Sequence, residues 1–301
     1  MTHSEKQLNS VAIVGCGDIG CRVAKRLLTN GMPAVNIVGL ARTPSSLSAI
    51  SQLGIGAFSL DLDSITNTIH SVTTTINYAN HLVFYFAPPP NTGEQDTRMR
   101  HWLSTLELNN LPTRIVYIST TGVYGDQQGQ SVTEQTATLP QASRAKRRLD
   151  AETALQQFAQ SNSVETVILR VASIYGLQRL PKARLENSLP VLEHALAPYT
   201  NHIHQDDLAQ ICITASLHAK AGEVFNVSDN DRMTMTEYFN QVADYLNLPR
   251  PPTINWQQAE TTLSEGMLSY LKESRIIDNS KLLSDLNITL QYPSLSDFFK
   301  L

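Results

Sequence analysis

The residues with the clearest chemical potential lie near the start of the chain. In VAIVGCGDIGCRVA, residues 11–24, an apolar β-forming run breaks into Gly15, Gly17 and Gly20 and then resumes with helical spacing. A G-x-G-x-x-G between a strand and a helix is the setting in which that motif cradles the diphosphate of a dinucleotide. Gly15 makes the tight turn, Gly17 lets backbone approach the phosphates without a Cβ, and Gly20 lets the helix pack closely on the strand. The positive end of a helix opening at Asp18 and Ile19 then faces the phosphates. At the end of the next strand, NIVGLARTP places Arg42 two residues past Leu40, with no Asp or Glu in the stretch. A basic side chain there accommodates a 2′-phosphate, so the ligand expected is NADP in preference to NAD.

Other reactive residues carry less. HIHQDD, residues 202–207, starts like an H-x-H-x-D-H metal site, and histidines two apart on a strand share a face. The last histidine is missing and no later His/Asp pair completes a shell, so no metal is expected. From Leu208 the pattern is that of an amphipathic helix capped by Asp206 or Asp207. Cys16, Cys21 and Cys212 have no metal-ligand spacing, and an odd count argues against a disulfide framework. Tyr124 and Tyr175 each sit in a Tyr-Gly pair after a strand, either as proton donors at a cleft edge or as packing against the turn. Arg179, just past IYGLQ, is placed to meet an anionic substrate group or to sit in solvent.

The elements that must position these residues are legible as an alternation. VAIVG, NIVGL, HLVFYFA, RIVYIST and VETVILRV read as strands, with helical stretches at 22–28, 98–106 and 145–158 between them. Strand, helix, strand in continuous succession means right-handed crossovers and a parallel sheet covered on both faces. The fold expected is α/β, a Rossmann-like doubly wound parallel sheet. After residue 175 the rhythm changes: LPVLEHALA and MTEYFNQVADYLNL look helical, EVFNV looks like a strand, and prolines cluster at 249–252. The division expected is residues 1–175, with 203–230 returning to them, and a small C-terminal α+β lobe from 176–202 and 231–301. With 301 residues, 42% hydrophobic and a formal net charge of −4, the chain gives no electrostatic reason to bind nucleic acid or an anionic membrane. MTHSEKQLNS lacks the apolar core of a signal peptide, and no apolar run approaches the roughly 20 residues of a membrane span. A cytoplasmic location is expected.

The pattern resembles the extended and atypical short-chain dehydrogenase/reductases, specifically the NAD-dependent epimerase/dehydratase group, over nearly the whole chain. FSLDLDS is similar to that family's third-strand segment, which implies that Asp61 contacts the adenine with Leu62 beside it. FYFAPPP stands at the family's fourth-strand turn, which puts Ala87 and Pro88 near the cofactor. ISTTGVYGD is similar to its Ser/Thr-rich fifth-strand end, implying Ser119 at the cofactor and Thr120 as the hydroxyl that orients a substrate, with Thr121 adjacent. LRVASIYG resembles its sixth-strand segment, with Ser173 in the crevice. NHIHQDDLA matches N-R-I-H-x-D-D-L-A with His202 in place of the arginine, and SRIIDNSKLLSDLNITLQYPSLSDFF resembles the tail of a small group of bacterial members.

One motif departs. Active members carry Tyr-x-x-x-Lys on the helix after the fifth strand, the tyrosine as acid/base and the lysine to lower its pKa and hold the nicotinamide ribose. Here the region reads PQASRAKRRLDAE, and ungapped alignment puts Arg144 on the tyrosine and Arg148 on the lysine. A one-residue shift gives Ser143 and Arg147. No tyrosine lies between Tyr124 and Tyr175. An arginine, with a pKa above about 12, cannot shuttle a proton near neutrality, although Arg148 can still donate to ribose hydroxyls. Two functions follow. One is an NAD(P)-dependent oxidoreductase or nucleotide-sugar epimerase/dehydratase with a degenerate site, acting on a small carbonyl or alcohol compound. The other is a non-catalytic NADP-binding protein that reports redox state to a partner. The resemblance also implies a homodimer formed through the helix at 145 and its neighbour near Trp102.

Overall fold

The computed structural model describes residues 10–64, 76 and 78–300, so residues 1–9, on which the reading of the leader rests, lie outside the described residues. Seven strands form the central sheet: β1 (Val11–Val14), β2 (Ile37–Ala41), β3 (Gly56–Ser59), β4 (Leu82–Tyr85), β5 (Arg114–Thr120), β6 (Glu165–Val171) and β7 (Glu223–Val227). Every pairing is parallel and the order is β7-β6-β5-β4-β1-β2-β3. The direction of winding reverses between β1 and β4, where an open α/β sheet leaves its ligand crevice at the carboxyl ends. Val14 is level with both Leu40 and Tyr85, so the three strand ends that should form that crevice finish together.

Period-two alternation divides the strands between two cores. Val11 and Ile13 face helices α1 (Asp18–Thr29), α2 (Pro44–Gln52) and α5 (Gln205–His218), packing with Val23, Ile50 and Ile211. Ala12 and Val14 face α3 (Thr97–Ser104) and α4 (Ser143–Asn162), packing with Trp102 and Leu155. Both faces are therefore dry, which is why these strands read as unbroken apolar runs. Trp102 is fully buried, its ring centroid 5.0 Å from that of Tyr85, and Ala145 is buried too. No helix among the described residues is long and apolar enough to cross a membrane.

The remaining elements form short strand pairs: Val191–Leu192 with Thr253–Ile254, Tyr199–Thr200 with Met233–Thr234, His202–His204 with Ser173–Tyr175, and Ser131–Val132 with Ile276–Ile277. Helix α6 (Met235–Tyr245) opens with a capping box between Thr234 and Glu237. Two sequence expectations are corrected. LPVLEHALA is not a helix: the Val191 and Glu193 amides donate to the Pro252 and Ile254 carbonyls, and only 194–196 forms a tight turn. Helix α5 is capped by His204, whose ring accepts from the Asp206 amide, while Asp207 accepts from the Gln291 and Tyr292 amides and anchors the tail. Within the span 231–301, Leu282, Leu286, Ile288 and Leu290 pack into the core of the large sheet.

Candidate functional site

The three glycines of the first turn differ in what excludes a side chain. Gly15 has φ +79°, and a Cβ there would lie 2.3 Å from the Ala87 amide nitrogen. At Gly20 a Cβ would press at 3.0 Å on Cys16 Sγ and Ile13 Cγ2. At Gly17 it would meet no described atom within 4 Å. The fold itself therefore requires the first and third glycines, whereas the middle one faces open space. The Gly15 and Cys16 amides are taken by the Leu40 carbonyl, and α1 then starts at Gly17 with no side chain capping its first turn. Uncapped first-turn amides and an open cradle are the parts of an anion site. Ile19 is core, so it contributes backbone only.

Beside this turn lies a cavity of about 260 Å³ lined by Gly15, Gly17, Arg42, Asp61, Leu62, Ala87 and Pro88 among others. Arg42 is not free in it: Nη1 donates to Asp63 at 2.9 Å. Arg98, from α3, grips the same carboxylate through Nε and Nη2, each at 2.6 Å, and donates to the Pro88 carbonyl. The Arg98 guanidinium holds the Asp63 carboxyl below the usual range. Two cations thus share one anion. Sequence reading found Arg42 but missed Asp63 and Arg98, because only the packing of α3 brings the pair to this edge. Asp61 Oδ1 accepts the Asp63 amide and shapes the turn. Asp18 is bound by Arg22 at 3.1 Å and by Arg179 at 3.0 and 2.7 Å, so Arg179 ties the segment after β6 to the head of α1.

Past Pro88 the crevice widens into a cleft of about 480 Å³. Its walls come from the prolines after β4, Ser119 and Thr120 at the end of β5, the head of α4, Ser173 after β6, and residues 199–201 and 270–275. Thr120 Oγ1 accepts from the Gly122 amide at 3.2 Å. Ser119 donates to Glu152 at 2.5 Å, Glu152 pairs with Arg170 at 2.8 Å, Arg170 donates to the Tyr124 hydroxyl, and that hydroxyl donates to Asn226. This chain of buried groups fixes the cleft floor from beneath.

Of the two roles open to the tyrosines, the geometry favours packing. Tyr124 is fully buried with its hydroxyl engaged, and Tyr175 is 1% exposed against His204 and Phe298. Burial pushes both phenols upward, so neither stands at the cleft edge as a proton donor. His202 stacks on Tyr238, and burial pushes it down to about 3; His204 packs on Tyr292 and is pushed down to about 4. Both rings are neutral packing elements near neutrality.

Helix α4 brings three arginines to the cleft. Arg144 donates to Ser269 Oγ at 2.5 Å and lies 3.7 Å over the Tyr270 ring. Arg147 is buried and donates to the Gly93 carbonyl, and Arg148 donates to the Ile118 carbonyl at 2.9 Å. Arg275 pairs with Glu273 at 3.0 Å on the opposite wall. Tyr270, Glu273 and Arg275 had no sequence signal, since their place depends on how 265–277 folds back over the cleft.

A family model for the NAD dependent epimerase/dehydratase family matches residues 11–228. Over 292 residues the chain is 26% identical to Protein YeeZ of Escherichia coli (strain K12), covering 95% of this chain and 97% of that one. Among solved structures, UDP-glucose 4-epimerase with UDP-glucose from Thermotoga maritima aligns with TM-score 0.77 at 16% identity, covering 97% and 96% of the two chains. UDP-glucuronic acid 4-epimerase from Bacillus cereus in complex with NAD aligns at 0.73 and 18%, with the same coverage. These likenesses show the shared fold. The chain belongs to the NAD-dependent epimerase/dehydratase family.

Proposed function

We propose that the chain binds a nicotinamide dinucleotide along the carboxyl edge of its sheet and meets a small molecule in the 480 Å³ cleft, without the family's usual proton donor. The observation that carries this reading is the Gly17 cradle, open to solvent at the uncapped head of α1. The residues fit the cofactor in order. Asp61, Leu62 and Arg42 line the adenosine end, Ala87 and Pro88 the middle, and Ser119, Ser173 and Arg148 the nicotinamide end. When bound, the nicotinamide supplies or accepts hydride. Thr120 orients a substrate oxygen, and Arg144 and Arg148 donate hydrogen bonds but transfer no proton near neutrality. The reaction class is that of an atypical oxidoreductase or epimerase/dehydratase acting on a nucleotide sugar or another small carbonyl or alcohol compound. The named epimerases among the structural neighbours support this class.

We further propose that NADP is preferred, because two guanidiniums at the adenosine end share a single carboxylate. Titration by NADPH and NADH fluorescence tests both points. NADPH is expected to bind at least several-fold tighter, and equal affinities remove the preference. A second reading, a non-catalytic redox sensor, is favoured by the anchoring of Arg144 on Ser269 and Tyr270, which occupies the expected proton-donor position with a fixed contact. Hydride exchange between labelled NADPH and any bound compound separates the two readings.

A further inference from the structure

The head of α4 breaks a rule that the other end of the crevice respects. Helix α4 has 20 residues, no side-chain cap and no acidic residue in its first turn. Its first two turns instead carry Arg144, Arg147 and Arg148 on the cleft wall. Cations at a helix N-terminus oppose the macrodipole, so this arrangement is locally unfavourable and calls for an anion. Glu273 is the one carboxylate lining the cleft, against five arginines, and it is paired to Arg275. Arg179 is taken by Asp18. Among the described residues no carboxylate is ion-paired with Arg144, Arg147 or Arg148, and each donates to a neutral oxygen. Arg147 is 7% exposed, and its Nε, like that of Arg275, has no acceptor among the described residues.

Resting on the reading of this cleft as the substrate site, we propose that the head of α4 is an anion receptor. The molecule it takes carries a carboxylate or phosphate on the part that lies against α4, and Arg147 and Arg148 hold that group. A neutral hexose ring would leave buried Arg147 and half-buried Arg148 without an ion-paired anion, whereas a planar carboxylate or a phosphate matches their fork of donors. This receptor is distinct from the diphosphate cradle, which uses the amides of α1 on the far side of Pro88.

The test is calorimetric titration of citrate, and separately of inorganic pyrophosphate, into the chain with and without saturating NADPH, with glucose as the neutral probe. NADPH binding is followed independently by fluorescence, so failure of the dinucleotide reading appears there while anion binding is still measured on the unloaded chain. The expected result is binding of at least one anion at millimolar concentration or tighter, and none of glucose. Arg147→Gln and Arg148→Gln each weaken it about tenfold, the size of one charge-assisted hydrogen bond. Lys146→Gln, an exposed neighbour paired with Glu94, changes it less than about twofold. Tighter citrate assigns a carboxylate; tighter pyrophosphate assigns a phosphate. The proposal is overturned if neither anion binds, if the glutamine variants bind like the parent chain, or if Lys146→Gln weakens binding as much as they do. Should Arg147→Gln fail to fold, the half-buried Arg148 carries the test through its own glutamine variant.

Discussion

Two helix heads face the same crevice, neither capped by a side chain, and they have been built in opposite ways. The head of α1 works by removal: a glycine whose missing Cβ leaves open space, amides without a cap, and Asp18 as the acidic residue of the first turn. The head of α4 works by addition, with three arginines in the first two turns and no acid. On the function proposed above, the first gives shape and dipole to an extended diphosphate, and the second supplies formal charge where the ungapped reading sets the family's tyrosine and lysine. The comparison teaches that the two ends of the crevice are separable parts of this fold, because they hang on different strands and different helices.

The largest effect is expected where α4 is anchored. Glu152→Gln leaves Arg170, 9% exposed at its side chain, without its counter-charge, and should cost ~3–5 kcal/mol in a denaturant unfolding midpoint. A loss below ~1 kcal/mol would show that the α4 head is not held by this network. The two ends of the glycine turn should separate next. Gly15→Ala puts a Cβ against Ala87 at positive φ and should destabilise by roughly 2–4 kcal/mol, whereas Gly17→Ala, which meets no atom but weakens the N-cap of α1, should cost no more than ~1 kcal/mol. Equal melting shifts would erase the distinction between fold glycine and ligand glycine. Converting the α4 head with Arg144→Tyr and Arg148→Lys together should raise turnover of any reducible carbonyl substrate at least ~10-fold, short of the roughly 100-fold low end of general acid catalysis because the new pair is not pre-positioned. Brisk reduction by the parent chain would mean that another group already donates the proton. Smallest, Arg42→Asp should abolish a several-fold preference for NADPH over NADH, read from paired fluorescence titrations.

What was readable in advance follows the same division. RIVYIST and EVFNV are strands residue for residue, and Gly15 and Gly20 have the turn and packing roles their spacing implies, because period-two burial and backbone sterics act within a few residues. LPVLEHALA misled because its apolar spacing also suits a helix, and pairing with 253–254 decides the matter. The Tyr-Gly context left Tyr124 and Tyr175 either at a cleft edge or packed, and their rings turn into the core because Asn226, Arg170 and Phe298 arrive from elsewhere. Asp63, Arg98, Glu273 and Arg275 belong to the site through tertiary packing alone. The departure at Arg144 and Arg148 was visible as residue types, but the fixed partner of Arg144, Ser269 with Tyr270, lies 125 residues away in the sequence.

The measurement that bears most directly on this account is calorimetric titration of NADPH into the parent chain and into Gly17→Ala. The account predicts saturable heat at one site per chain, and at least about tenfold weaker binding in the variant, with a melting temperature lowered by no more than about 4 °C. No heat from the parent chain, or equal affinity in the two proteins, would contradict it.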